Sequence, residues 1–89
     1  MPAEIPPDVR NEVERMRETL RAVARESRLS YAQIGEKLGL REGYLNVIFS
    51  GKVELRVAHV FGILRALGME PWQFFLRLVA AEGGEHGAA

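Results

Sequence analysis

The sequence predicts an all-α fold of five helices. Apolar residues recur at gaps of three and four, no stretch alternates with period two, and Ser, Pro and Gly stand where such stripes start and stop. An 89-residue chain is one domain. Its expected extent is residues 8–81, between a flexible tail at 1–7 and a disordered tail at 82–89.

Residues 1–7, MPAEIPP, hold three of the four prolines. Pro does not continue a helix, so this reads as a tail with Asp8 as N-cap behind it. From Val9 the stripe runs Val9, Val13, Met16, Leu20, Val23, with charges on the other faces. That spacing predicts a first helix over about 9–27. Ser30 caps a second helix, Tyr31 to about Leu38, with Ala32, Ile34, Gly35 and Leu38 inward, and Gly39 suits the left-handed position that ends it. Small Gly35 is expected to let the second helix approach the third. The third helix, about Glu42 to Phe49, buries Leu45, Ile48 and Phe49, and Gly51 ends it. The fourth, about Arg56 to Leu67, turns Val57, Val60, Phe61, Leu64 and Leu67 inward and stops at Gly68. Pro71, after Glu70, opens the fifth, which carries Trp72, Phe75, Leu76 and Val79. EGGEHGAA is polar and small, as chain ends often are.

Composition narrows the function classes. Hydrophobic residues make up 47% and charged residues 27%, as in ordinary globular chains. There is no Cys, which excludes disulfides, thiolate chemistry and Cys-based zinc sites. No apolar run reaches a membrane-spanning length and no basic-then-apolar leader opens the chain, so a cytoplasmic protein without a membrane partner is expected. No nucleophile–base pair, phosphate loop or catalytic carboxylate pair stands out. His59 and His86 lack sequence partners. The expectation is therefore no enzyme, no metal and no cofactor.

Two short helices joined by a Gly-containing turn match a helix-turn-helix. With its flanks, the segment LSYAQIGEKLGLREGYLNVIFSGK…ALGMEPWQFF resembles the lambda-repressor-like family, the Cro or xenobiotic-response-element type, over roughly Leu20 to Phe75. The resemblance implies a five-helix DNA-binding domain, here with extended first and last helices. It implies that Glu42, Gly43, Tyr44 and Val47 face the major groove, and that Tyr31 meets backbone phosphate. It also places Ser50, Lys52, Val53 and Arg56 in the segment that follows the recognition helix and touches DNA. Many members pair an Arg of helix 1 with a buried Glu of helix 3. Ala24 and Phe49 stand at those positions, so both ionic partners are absent together.

The groove face is unusual for a reader of bases. Glu42 is either an acceptor for a cytosine amino group or a first-turn acid favoured by the helix dipole. Val47 suits a thymine methyl or a protein contact. Gly43 inside a helix costs about 1 kcal/mol relative to Ala, which points either to close approach of a partner's backbone or to a tolerated accident. Tyr44 and the flanking Asn46 are the remaining polar readers. Lys52, Arg56 and Arg41, with Lys37 and Arg28 nearby, form a phosphate-gripping edge. Formal net charge is zero, so any grip is local.

The reading is thus a small transcriptional regulator that binds double-stranded DNA sequence-specifically. A homodimer is expected, because two copies present two groove helices about 34 Å apart. The overhanging stripe of Val9, Val13 and Met16 and the fifth-helix residues Leu76 and Val79 form the expected dimer surface. The alternative is a helix-turn-helix kept as a protein-interaction module without DNA binding.

Overall fold

A computed structural model describes the backbone of residues 5–86 and the side chains of residues 5–80. Five helices follow in chain order: α1 (Pro7–Glu26), α2 (Tyr31–Leu38), α3 (Tyr44–Ser50), α4 (Val57–Leu67) and α5 (Pro71–His86). No strand occurs among the described residues. The all-α expectation therefore holds.

The boundaries differ from expectation in instructive ways. α1 starts inside the proline run: Pro6 is the N-cap and Pro7 the first helical residue. Pro obstructs a helix interior but suits its first position, where the missing N–H has no helical partner to lose. Asp8 lies in the first turn rather than at the cap. α3 starts at Tyr44, two residues later than expected, because Gly43 has φ of 82° and cannot belong to a right-handed helix. α5 runs to His86, beyond the expected boundary at residue 81, since propagating a formed helix adds a hydrogen bond even at weak positions such as Gly83 and Gly84. The outer parts of both expected tails, residues 1–4 and 87–89, lie outside the described residues.

The caps explain why these segments stay helical. Ser30 accepts from the Gln33 amide at 3.0 Å, and Gln33 Oε1 accepts from the Ser30 amide at 2.8 Å. This reciprocal box satisfies two orphan donors of α2. At its other end the Leu40 amide reaches the Gly35 carbonyl and the Gly39 amide the Glu36 carbonyl. Met69 and Gly68 close α4 in the same way on Leu64 and Arg65. Gln73 Oε1 reaches back to the Glu70 amide at the start of α5.

The core comprises Leu20, Ala24, Ile34, Leu45, Ile48, Phe49, Val60, Ile63, Leu64 and Phe74. The α3 register is as expected, and Ala24 and Phe49 both sit in this apolar cluster. On α2, Ile34 and Gly35 are buried but Ala32 is exposed. On α4, Val60 and Leu64 are buried and Leu67 packs against the core as expected, but two of the expected inward residues are not buried. Val57 and Phe61 are exposed, while Ile63 is buried; on α5, Phe74 is buried while Trp72, Phe75, Leu76 and Val79 face out. Both helices are apolar nearly all round, so periodicity alone does not select a face. The close helix approach also lies elsewhere than expected. A Cβ on Gly35 would meet nothing within 4 Å, whereas one on Gly62 would lie 2.7 Å from Leu38 Cδ2. Gly62, not Gly35, brings α4 against α2.

A buried cation binds α1 to the segment after α3. Arg17 is 2% exposed, donates to the Val53 carbonyl at 3.2 Å and pairs with Glu14. One turn on, Arg21 donates to the Phe49 carbonyl. Together they serve carbonyls at and beyond the α3 C-terminus, where positive charge is favoured. α1 therefore does offer arginines to α3, but from positions 17 and 21 and to backbone oxygens instead of a buried Glu.

α5 packs on α4 and is tied to the C-terminal end of α1 by an Arg77–Glu26 bidentate pair. The hydrogen bonds from Arg77 hold the Glu26 carboxyl below its ordinary range. The radius of gyration is 14.0 Å, against about 12 Å for a compact chain of this length.

Candidate nucleic-acid interface

The residues singled out in and around α3 fall into two neighbouring sets. Tyr31, Arg41, Glu42, Gly43 and Asn46 line an open groove of about 590 Å³ between α2 and α3. Ser50, Lys52, Val53 and Arg56 follow α3. Tyr44 links the two. The Arg41 guanidinium lies 5.2 Å from the centre of its ring, and His59 meets it edge-on at 6.3 Å. His59 Nδ1 in turn accepts the Arg56 amide at 3.2 Å. A continuous path, Arg41–Tyr44–His59–Arg56, thus crosses from the α2–α3 turn to the start of α4.

Each residue type has a local reason for its position. Gly43 supplies the left-handed step that aims α3 away from the turn, and its carbonyl accepts the Val47 amide. Its place at the cap removes the helix-interior penalty that suggested a partner approaching there. Glu42 precedes the cap, so it is not a first-turn acid of α3; it stands exposed at the rim of the groove beside Arg41. Tyr31 is half-buried, its ring edge-on to Phe49 at 5.0 Å, so its body braces the core while it lines the groove. Asn46 is exposed, and Val47 is half-buried.

Beyond α3 the Ser50 hydroxyl donates to the Val47 carbonyl at 2.9 Å and accepts the Lys52 amide at 3.3 Å. Val53 packs against the core and its carbonyl is engaged by Arg17, so its side chain supports the segment. Lys52 and Arg56 remain as its exposed cations. Arg28 sits at φ 67°, a left-handed conformation unusual outside Gly, just after α1.

His59 has a role that sequence reading missed. It caps α4 from the third helical position, with a ring nitrogen acting where a Gln does in α2 and α5. The signal was present: His59 lies three residues after Arg56, the spacing that Ser30–Gln33 and Glu70–Gln73 also show. Burial, then the Arg56 charge, pulls its imidazole below the ordinary value, in keeping with Nδ1 as an acceptor. Arg17 was legible too, as the position four after Val13 and three before Leu20 on the stripe itself.

The residues expected at a dimer surface divide. Val9, Leu76 and Val79 are exposed. Val13 and Met16 are half-buried, and Met16 packs against the core, so less of α1 overhangs than the stripe suggested. No group of metal-ligating side chains and no helix long and apolar enough to cross a membrane occurs among the described residues. Set against family models, curated proteins and solved structures, the chain matches none of them.

Proposed function

We propose that this chain binds double-stranded DNA sequence-specifically, as a small dimeric transcriptional regulator with a lambda-repressor-like helix-turn-helix formed by α2 and α3. The observation that carries this reading is the placement of exposed Arg41, Lys52 and Arg56 around the outward side of α3, with Arg41 held over Tyr44. Phosphate contacts position such a protein and base-edge contacts specify the sequence. Arg41, Lys52 and Arg56 take the first task. Tyr44, Asn46 and Glu42 take the second, Asn46 toward adenine and Glu42 toward a cytosine amino group. The chain's neutral net charge makes the grip depend on these few side chains.

An anisotropy titration against genomic fragments at about 50 and 200 mM salt tests the reading. Binding that weakens steeply with salt, and that Lys52→Ala weakens alike for all sequences, supports it. Absence of salt-dependent binding to any duplex at the lower salt excludes it. That result would leave the fold as a protein-interaction module, a reading favoured by Glu36 and Glu42 on the α2–α3 groove.

A further inference from the structure

The outward face of α3 is poor in hydrogen-bond donors. Leu45, Ile48 and Phe49 are buried, so helix geometry puts Gly43, Val47 and Ser50 on the opposite side, with Asn46 on one flank and Tyr44 on the other. Gly43 offers no side chain, and Val47 offers methyl groups. The Ser50 hydroxyl gives its proton to the Val47 carbonyl at 2.9 Å and already takes the Lys52 amide at 3.3 Å, so toward a further partner it can only accept. Glu42, exposed beside Gly43, presents a carboxylate, which also only accepts. Donors are confined to the flanks. The centre of the face combines acceptors with methyl groups.

Each pyrimidine offers a different edge to such a surface. In the major groove cytosine shows an amino donor but a bare C5, whereas thymine shows a C5 methyl but an acceptor at position 4. An acceptor beside a methyl-lined surface matches neither in full. It matches 5-methylcytosine, which carries the amino donor and the methyl group on adjacent ring atoms. We propose that α3 reads 5-methylcytosine in the major groove, with Val47 against the methyl group and Glu42 accepting from the amino group. This rests on the DNA-binding function proposed above and names the base which that function selects.

Three observations make one base the shared target. The Gly43 carbonyl accepts the Val47 amide at 3.4 Å, so Val47 stands one turn above the residue that follows Glu42. A Cβ on Gly43 would meet nothing within 4 Å, which leaves open ground between Glu42 and Val47 for a base edge. The amide and the carbonyl of Val47 are both bonded nearby, to Gly43 and to Ser50, and a β-branched side chain is stiff, so its methyl groups keep a fixed place. Selectivity against thymine then comes from repulsion, because its O4 would face a carboxylate with no proton between them.

The test prepares genomic fragments with either cytosine or 5-methylcytosine and titrates each fragment in both forms by anisotropy at about 50 mM salt. Burying one methyl group against Val47 should tighten binding of the best fragment about fourfold, and about fifteenfold where two copies each bury one. Val47→Ala should bring the ratio of methylated to unmethylated affinity close to one. Lys52→Ala should weaken both forms alike and keep the ratio. Each ratio compares two duplexes on the same protein, so a change in folded fraction cancels. In the best methylated fragment, a thymine–adenine pair in place of the methylated pair should weaken binding by the parent, and Glu42→Gln, which can donate to O4, should narrow that gap. Both forms bound equally, the methylated form bound more weakly, or a preference that Val47→Ala leaves intact would overturn the proposal while leaving DNA binding in place. Absence of binding to either form would overturn both.

Discussion

Gly43 shows how one residue decides where a helix points. Its φ of 82° costs an L side chain about 1–2 kcal/mol, although a Cβ there would meet nothing within 4 Å. Gly43→Ala should therefore destabilise the fold by about 1–2 kcal/mol through backbone strain, read as a lower denaturation midpoint with an unchanged m-value. His59 carries a pH dependence. Its imidazole is held below its ordinary value in the folded chain, so the unfolded chain binds the proton more readily. Stability is then fully present above that value, falls as pH drops through it, and levels once the folded imidazole is also protonated. Comparing His59→Asn with the parent at pH 7.5 and 5.5 isolates this contribution. The variant should lose part of the parent's loss in stability on acidification; identical losses would remove His59 from the account.

At the scale of elements, α1 does more than cover the core. Arg17 fixes the α3–α4 segment by its bond to the Val53 carbonyl, and its guanidinium would lie 3.4 Å from a Cβ on Gly51. Arg17→Met keeps most of the volume but strands that carbonyl, at a cost of about 1–3 kcal/mol in thermal or chemical unfolding. It should also loosen the position of Lys52, so that DNA affinity falls even after correction for the unfolded fraction. The α2–α3 unit was readable because its punctuation is local: Ser30 with Gln33, Gly39, and the Leu45–Ile48–Phe49 spacing each act within one turn. The faces of α4 and α5 were legible only in part. VAHVFGIL and WQFFLRLV offer apolar residues in every direction, and packing of α4 against α2 and α1 selects Ile63 over Phe61, as packing of α5 on α4 selects Phe74 over Phe75. Among candidate site residues, Arg41, Lys52 and Arg56 were legible as exposed cations, whereas the Tyr44–His59 contact joining them depends on where α4 lies.

At the scale of the whole molecule, a chain with no net charge gains no long-range attraction to DNA from that net charge. Affinity must then follow the number of local phosphate contacts. Arg41, Lys52 and Arg56, the exposed cations assigned to phosphate, give about six contacts for a pair of copies. The logarithm of the binding constant should accordingly fall with the logarithm of salt at a slope of about −5, a loss of roughly a thousandfold between 50 and 200 mM. The same count predicts what happens when the copies part. A single chain keeps three contacts, so Leu76→Asp should roughly halve the slope as well as weaken binding, whereas Lys52→Ala in the intact pair should lower it by about two units. Titrations of both variants over that salt range separate the two causes. A slope unchanged by Leu76→Asp would mean that one copy makes all the phosphate contacts, and the two-copy account of DNA binding would fail.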